Sequence, residues 1–228
     1  NALLQLKHSR RHQGLCGLGF DRCYTWLCTV ALVYTSLNYT DLIERLQRGA
    51  IGVLPTDTVY GLVCVAANTA AVADLYTLKL RDHKPGTVIA NSIDQLVELG
   101  IKRRYLMAVE QFWPHPISIV IPVGAELNHL DFGKGSLACR VVAGSQELLN
   151  LLTKTGPLIT SSANHPGQPT ATTIQNAKAY FGDDVDFYVD GGDLSGRQPS
   201  TLIRVVDDAI EILREGAVNI DESGRVSR

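Results

Sequence analysis

The chain has 228 residues, of which 45% are hydrophobic and 19% are charged, and its formal net charge is −2. This length and composition are typical of a globular protein with one substantial hydrophobic core. The near-neutral charge excludes a uniformly basic nucleic-acid-binding protein, but it allows a basic cavity inside a neutral shell.

The first 36 residues differ in character from the rest. A basic segment, residues 7–13, precedes an apolar run, residues 26–34. This pattern loosely resembles a signal peptide, but no small-residue cleavage site follows it. The apolar run is also too short to cross a bilayer, which takes about 20 residues. We therefore expect residues 1–36 to be an extension outside the folded domain, disordered or non-native, and we expect no association with a membrane.

The five cysteines are scattered along the chain and form no Cys-x-x-Cys pair. A disulfide framework or a structural zinc site would need closer grouping. The cysteines are interpreted as reduced thiols, which indicates a cytoplasmic protein.

Hydrophobic residues recur at helical or strand-like spacing along the remaining chain. The predicted helices cover residues 39–48, 69–80, 93–99, 104–112, 146–153 and 173–180. The predicted strands cover residues 51–54, 87–90, 117–123, 137–142, 158–160, 187–190, 201–206 and 210–213. Helices and strands alternate, but some strands follow one another directly, so the pattern predicts an α/β (α+β) fold with a mixed sheet flanked by helices. We place this domain at residues 37–220 and a C-terminal tail at residues 221–228.

Polar residues cluster at the ends of the predicted elements, where α/β sheets usually build their sites. The first cluster, residues 55–61, is predicted to be a strand-to-helix turn rich in hydroxyl groups. The second, Lys79-Leu80-Arg81 with Lys84, could bind a polyphosphate through its cations. Taken alone, both have ordinary interpretations, because Thr and Asp favour capping turns and cations favour helix C-termini.

Two further clusters follow in the C-terminal half. Residues 160–164 place hydroxyl groups and an amide at the end of the strand predicted at residues 158–160. The fourth cluster, residues 190–192 with Ser200, follows the strand predicted at residues 187–190. Hydroxyl and amide groups on such a loop could bind phosphate or a nucleobase, although an ordinary turn before a helix is the commoner meaning. The sequence contains no P-loop, no H-E-x-x-H and no G-x-S-x-G motif, so it does not favour a zinc or nucleophilic hydrolase.

The order of these clusters resembles the YrdC family of L-threonylcarbamoyladenylate synthases. The resemblance covers residues 38–218 and is carried by GAIGVLPTDTVYGLVC, KLRDHKP, FWPHPISIVI, LACRVV, ITSSANHPGQPT, STLIRV and LREGAV. It implies a twisted mixed sheet around a deep basic cavity, in the short, single-domain form of the family.

The implied activity is that of a nucleotidyltransferase. It condenses L-threonine, bicarbonate and ATP, with Mg²⁺, into threonylcarbamoyl-AMP and pyrophosphate. Partner proteins would then transfer the threonylcarbamoyl group to adenosine in tRNA. No side-chain metal site and no protein nucleophile are implied.

The resemblance also assigns roles to individual residues. L-Threonine would be bound by Thr58, Arg140 and Ser200. ATP would be bound by Lys79, Arg81, Lys84, Ser136, Thr160, Ser162, Asn164, Thr170 and Arg214. Lys79 and Arg81 would be the catalytic cations.

The chain departs from the family pattern in places, and other functions stay open. Lys84-Pro85-Gly86 stands where many members have K-P-L, and the loop after Arg81 looks one residue short. One alternative is a non-catalytic module that binds tRNA or double-stranded RNA in the same basic cavity. Another is the carbamoyl-adenylate chemistry of hydrogenase maturation, which the lack of acylphosphatase-like and zinc-finger segments disfavours.

Overall fold

A computed structural model describes residues 30–80, 84–207, 209–221 and 224–227. The strands within these ranges are Leu32–Tyr34 (β1), Gly52–Pro55 (β2), Tyr60–Val65 (β3), Thr87–Ala90 (β4), Ile117–Pro122 (β5), Ser136–Val141 (β6), Leu158–Ser162 (β7), Phe187–Val189 (β8), Thr201–Val206 (β9), Ala209–Arg214 (β10), Asn219–Ile220 (β11) and Val226–Ser227 (β12). The helices are Thr40–Gln47 (α1), Thr69–Leu78 (α2), Ile93–Glu98 (α3), Arg103–Met107 (α4), Asn128–Asp131 (α5), Gln146–Thr155 (α6) and Ile174–Phe181 (α7), with 3-10 turns at Glu110–Phe112 and Ala125–Leu127.

Ten of these strands form one mixed sheet in the order β1-β8-β2-β3-β7-β4-β6-β5-β9-β10. Parallel pairs such as β4 with β6 alternate with antiparallel pairs such as β5 with β6. Strands β11 and β12 form a small antiparallel sheet of their own. The prediction of a mixed sheet flanked by helices is therefore confirmed.

Each face of the sheet buries its own hydrophobic layer. Leu62 and Cys64 of β3 pack with α2 on one face, whereas Val63 packs with α1 and α6 on the other. Successive side chains of a strand point to opposite faces, so a central strand covered on both sides is apolar at every position. No helix among the described residues is long and apolar enough to cross a bilayer.

The predicted strand-to-helix turn at residues 55–61 is wrong. The segment is instead a hairpin, in which Pro55 pairs with Tyr60 and Leu54 with Gly61 in antiparallel register. Residues 60–65 show no alternation of apolar and polar side chains, because β3 is buried on both faces. The turn residues therefore lie between two central strands.

The limits of the domain also differ from the prediction. Of the predicted extension, the structure describes residues 30–36, and Leu32–Tyr34 pairs in parallel with β8. Tyr34 is buried and packs edge-on against Phe187, with 6.3 Å between ring centroids. The folded domain thus begins before residue 37, while residues 1–29 lie outside the described part. In the predicted C-terminal tail, Val226–Ser227 forms a strand with Asn219–Ile220.

Candidate functional site

Five polar residues, which we name the arginine cluster, meet where neighbouring strands of the sheet end. Arg140 lies on β6, Ser118 on β5, Ser200 directly before β9 and Arg214 at the end of β10, and these strands are adjacent in the sheet. Asp57 reaches the cluster from the turn between β2 and β3. The sheet topology thus assembles residues that are up to 157 positions apart in the chain, counted from Asp57 to Arg214.

Hydrogen bonds run through the whole arginine cluster. Arg140 donates from Nη2 to Asp57 Oδ1 at 2.8 Å and from Nη1 to Ser118 Oγ at 2.9 Å. The hydroxyls of Ser118 and Ser200 are 2.8 Å apart. Arg214 Nη2 donates to the backbone oxygen of Ser200 at 2.7 Å. The two guanidinium groups are therefore fixed relative to each other through two serines.

Ser118, Arg140 and Ser200 are buried whereas Arg214 is exposed, and the arginine cluster carries more positive than negative charge. The side chains of Arg140 and Asp57 are 3% and 5% exposed. Partial burial, and to a lesser degree the charge of Arg140, lowers the pKa of Arg214 below its ordinary value. The cluster contains one carboxylate and two guanidinium groups, and Arg140 Nε has no acceptor among the described residues. A second anion would therefore be favoured here.

A cavity of about 430 Å³ adjoins the arginine cluster at Asp57. Its walls come mainly from the segment before β5 and from the C-terminal residues, and the lining residues are Asp57, Pro114, His115, Pro116, Ala143, Ala217, Val218, Val226 and Ser227. Asp57 is the only Asp, Glu, Lys or Arg side chain among them. The cavity therefore approaches the Asp57–Arg140 ion pair from the side of its carboxylate.

A second group, which we name the lysine loop, joins Lys79 to Ser162 and Asn164. Lys79 is the C-terminal capping residue of α2 and is 5% exposed. Its Nζ donates to Ser162 O at 2.7 Å, to Asn164 Oδ1 at 2.6 Å and to the backbone oxygen of Asn164. An ammonium group has three N–H donors, so these acceptors match its full capacity. The second and third sequence clusters thus come together, with Lys79 organising the loop from within.

Three threonines lie between these two groups. Thr56 Oγ1 and Thr58 Oγ1 are 3.2 Å apart in the hairpin turn, and both side chains are buried. Thr160 of β7 faces the same turn, since a Cβ added to Gly61 would lie 2.4 Å from Thr160 Oγ1. Only a glycine at position 61 lets the two strands approach this closely.

The remaining predicted site residues are placed less centrally. Ser136 begins β6, and its backbone N–H donates to Asp131 Oδ2 at 3.1 Å. Thr170 is half-buried and Lys84 is exposed. Neither Ser136 nor Thr170 is hydrogen-bonded to the arginine cluster or the lysine loop among the described residues. Arg81 lies outside the described residues, so its predicted contact with ATP stays a prediction.

Two residues of the arginine cluster had no predicted role. Asp57 belongs to the first sequence cluster, but nothing local separates it from an ordinary turn residue. Ser118 carries a clearer signal, since it is a buried serine inside the apolar strand Ile117–Pro122. Buried polar side chains need hydrogen-bond partners, and here those partners are Arg140 and Ser200.

The described residues contain no group of three or more His, Cys, Asp or Glu side chains that could hold a metal ion.

Comparison with known proteins identifies similar sequences. A family model named Sua5_yciO_yrdC, described as telomere recombination, matches residues 44–216. The threonylcarbamoyl-AMP synthase of Coxiella burnetii (strain RSA 493) is 35% identical over 184 residues, which are 78% of this chain and 96% of that protein. The threonylcarbamoyl-AMP synthase of Chromohalobacter salexigens is 34% identical over 174 residues, which are 74% of this chain and 92% of that protein.

Solved structures share the fold. The structure of P. abyssi Sua5 complexed with L-threonine aligns with a TM-score of 0.73 and 25% identity, over 86% of this chain and 60% of that chain. This chain therefore spans about three fifths of the length of that Sua5 protein. E. coli YciO aligns with a TM-score of 0.68 and 21% identity, over 81% of this chain and 94% of that chain, which supports the fold alone.

Proposed function

The chain belongs to the Sua5/YciO/YrdC family, and from that membership we propose that it is a threonylcarbamoyl-AMP synthase. It condenses L-threonine, bicarbonate and ATP into threonylcarbamoyl-AMP and pyrophosphate, as a nucleotidyltransferase that serves tRNA modification. The names of the bacterial relatives and the L-threonine bound to a Sua5 protein support this proposal.

The arginine cluster is the observation that carries the proposal. Arg140 presents a guanidinium group that is fixed by Ser118 and Asp57 and is suited to hold a carboxylate by two hydrogen bonds. Thr58 and Ser200 supply hydroxyls on either side, one from the hairpin turn and one from the start of β9. A carboxylate that also carries a hydroxyl, as L-threonine does, matches these groups.

We propose that ATP binds beside the lysine loop. Thr160, Ser162 and Asn164 end β7 with hydroxyl and amide groups, and Lys79 holds Ser162 and Asn164 in place. We propose that Arg81, Lys84, Ser136, Thr170 and Arg214 complete the binding of ATP. Mg²⁺ usually keeps several waters and binds through substrate phosphates, so we propose that it enters with ATP and neutralises part of the phosphate charge.

The chemistry needs position and positive charge more than a protein nucleophile. L-Threonine and bicarbonate first combine into a carbamate, with loss of one water molecule and one proton to solvent. A carbamate oxygen then attacks the α-phosphorus of ATP. The new P–O bond forms while the bond to pyrophosphate breaks, and the leaving group takes the electron pair. Cations that are already in place stabilise the charge that develops in this step without reorganising.

Binding of tRNA or double-stranded RNA without catalysis is the alternative from another class. The lysine and arginine side chains of the site would attract phosphate groups in any case. The carboxylate of Asp57 at the cavity wall disfavours this alternative, because it repels a polyanion from the entrance to Arg140. Transfer partners and a cytoplasmic location remain part of the proposal.

Release of pyrophosphate tests the proposed function. We expect release from ATP only when L-threonine and bicarbonate are both present. Arg140→Lys should raise the KM for L-threonine by about 10- to 100-fold, because a lysine cannot form the two-pronged contact. Arg204→Lys on neighbouring β9 is the matched control, since Arg204 is exposed and pairs only loosely with Glu211 at 3.5 Å. ATP turnover that is indifferent to L-threonine would refute the assignment.

A further inference from the structure

Asp57 occupies an unusual position for an ionised group. Its side chain is 5% exposed, and the described residues give it one hydrogen-bond donor, Arg140 Nη2, which contacts Oδ1. A carboxylate has two oxygens and about four acceptor positions, so Asp57 retains unused capacity. The unused capacity lies where Asp57 lines the 430 Å³ cavity.

Stability alone gives a poor reason for this buried ion pair. Moving two charges out of water costs several kcal/mol for each ion, roughly as much as their attraction returns, and apolar replacements are often equally stable. The Asp57–Arg140 pair joins the turn after β2 to strand β6, and both side chains are almost fully excluded from water. A ligand that uses both charges is the simpler explanation.

A zwitterion complements an ion pair of this kind. An α-amino acid carries a carboxylate and an ammonium group on one carbon, so the two charges are separated by only a few ångströms. Arg140 and Asp57 present the opposite charges side by side, since Nη2 and Oδ1 are 2.8 Å apart. Each charge of the ligand would meet its partner, and neither would be buried unpaired.

The orientation of the pair fixes which end of the ligand faces the cavity. Asp57 lines the cavity, whereas Arg140 lies behind it and is 3% exposed. The nitrogen of the ligand therefore remains on the cavity side. There the ammonium group loses a proton to water before the amine attacks bicarbonate, and formation of the N–C bond releases one water molecule. After carbamoylation the nitrogen keeps one N–H, which can still donate to Asp57.

We propose that Asp57 binds the α-amino group of the substrate and so selects an α-amino acid over a carboxylic acid that lacks the amine. This inference rests on the proposed function, and it assigns a specificity role to a residue next to Thr58. The chemistry of the pair requires a zwitterionic ligand. An RNA or a simple anion would use the guanidinium group and be repelled by the carboxylate.

Binding of two ligands that differ only in the amine tests this role. Calorimetry at one pH and salt concentration should compare L-threonine with (R)-3-hydroxybutyrate, which lacks the amino group. We expect the wild-type protein to bind L-threonine at least about 10-fold more tightly, as for a hydrogen bond to a charged group. Asp57→Asn should reduce that preference to about twofold or less, mainly by weakening the binding of L-threonine.

Ser118→Ala is the matched control. It removes a different hydrogen bond to Arg140 but leaves Asp57 in place, so it should weaken both ligands by the same factor and keep their ratio. If Asp57→Asn also preserves the ratio, Asp57 acts only through Arg140 and the inference is overturned.

The wild-type protein alone also decides the question if Asp57→Asn does not fold. Equal binding of the two ligands, with threonine-dependent pyrophosphate release intact, would overturn the role of Asp57 and leave the proposed function standing. Failure to bind either ligand and failure to release pyrophosphate would overturn both.

Discussion

Replacing Lys79 by methionine tests whether this lysine holds the site together from inside. Lys79 is 5% exposed, and its Nζ serves Ser162 O, Asn164 O and Asn164 Oδ1. Methionine fills a similar volume but donates no hydrogen bond. The Lys79→Met variant would leave three oxygen acceptors without this donor in a part of the protein that water reaches poorly.

The expected loss of stability follows from two opposing effects. A hydrogen bond to a charged group contributes about 1.5–3 kcal/mol, and here up to three are lost. Removing a buried ammonium group recovers several kcal/mol of its desolvation cost, roughly offsetting half of that loss. We therefore expect the free energy of unfolding to fall by about 2–4 kcal/mol, which lowers the melting temperature of a chain of this size by about 4–16 °C.

Thermal or urea unfolding measures this change. Lys134→Met provides the control, because Lys134 is an exposed lysine after α5, and we expect less than about 0.5 kcal/mol of change there. Lys79→Met should also abolish pyrophosphate release, since Asn164 loses its anchor. If the variant were as stable as the wild type but inactive, Lys79 would act on the phosphates directly and would not hold the loop.

Two further predictions concern the packing around the site. Gly61→Ala should destabilise the protein by about 1–3 kcal/mol in urea unfolding, because the added Cβ would lie 2.4 Å from Thr160 Oγ1; adding Thr160→Ala should recover part of the loss, and no recovery would place the strain elsewhere. Burial raises the pKa of the Cys64 thiol to about 12 and raises that of Cys139 as well. At pH 8 only about one Cys64 side chain in ten thousand is then a thiolate. The Cys64 thiol therefore stays protonated throughout the range from pH 7 to pH 9. Maleimide labelling followed by peptide mapping should leave both thiols unmodified until the protein unfolds, whereas rapid labelling of the folded protein would contradict their burial.

Local sequence patterns were sufficient for elements whose signal lies within a few residues. Leu42, Ile43 and Leu46 recur at helical spacing, and all three are buried on α1. Asn68 directly precedes the helix predicted from residue 69 and is a favoured N-cap residue, and its side chain accepts a hydrogen bond from Ala71 N at 3.0 Å. The free energy of such elements depends mostly on near neighbours, so the sequence alone indicates them.

Strands β1 and β3 were not predicted, because what stabilises them lies far away in the chain. Strand β1 is stabilised by β8, about 155 residues later, and β3 lacks alternation because both of its faces are covered. The same reason explains why Asp57 was overlooked, since its partner Arg140 is 83 positions away. The order of motifs predicted Arg140, Ser200 and Arg214 as site residues, and the structure brings them together through Ser118, which had no predicted role.

The identity of the product tests the central claim most directly. The protein should be incubated with ATP, Mg²⁺, L-threonine and ¹³C-labelled bicarbonate, and the nucleotide products should be separated and weighed by mass spectrometry. We expect threonylcarbamoyl-AMP that carries one ¹³C atom from bicarbonate, and no such product when L-threonine is omitted. Formation of AMP or ADP without a labelled threonine adduct would contradict it.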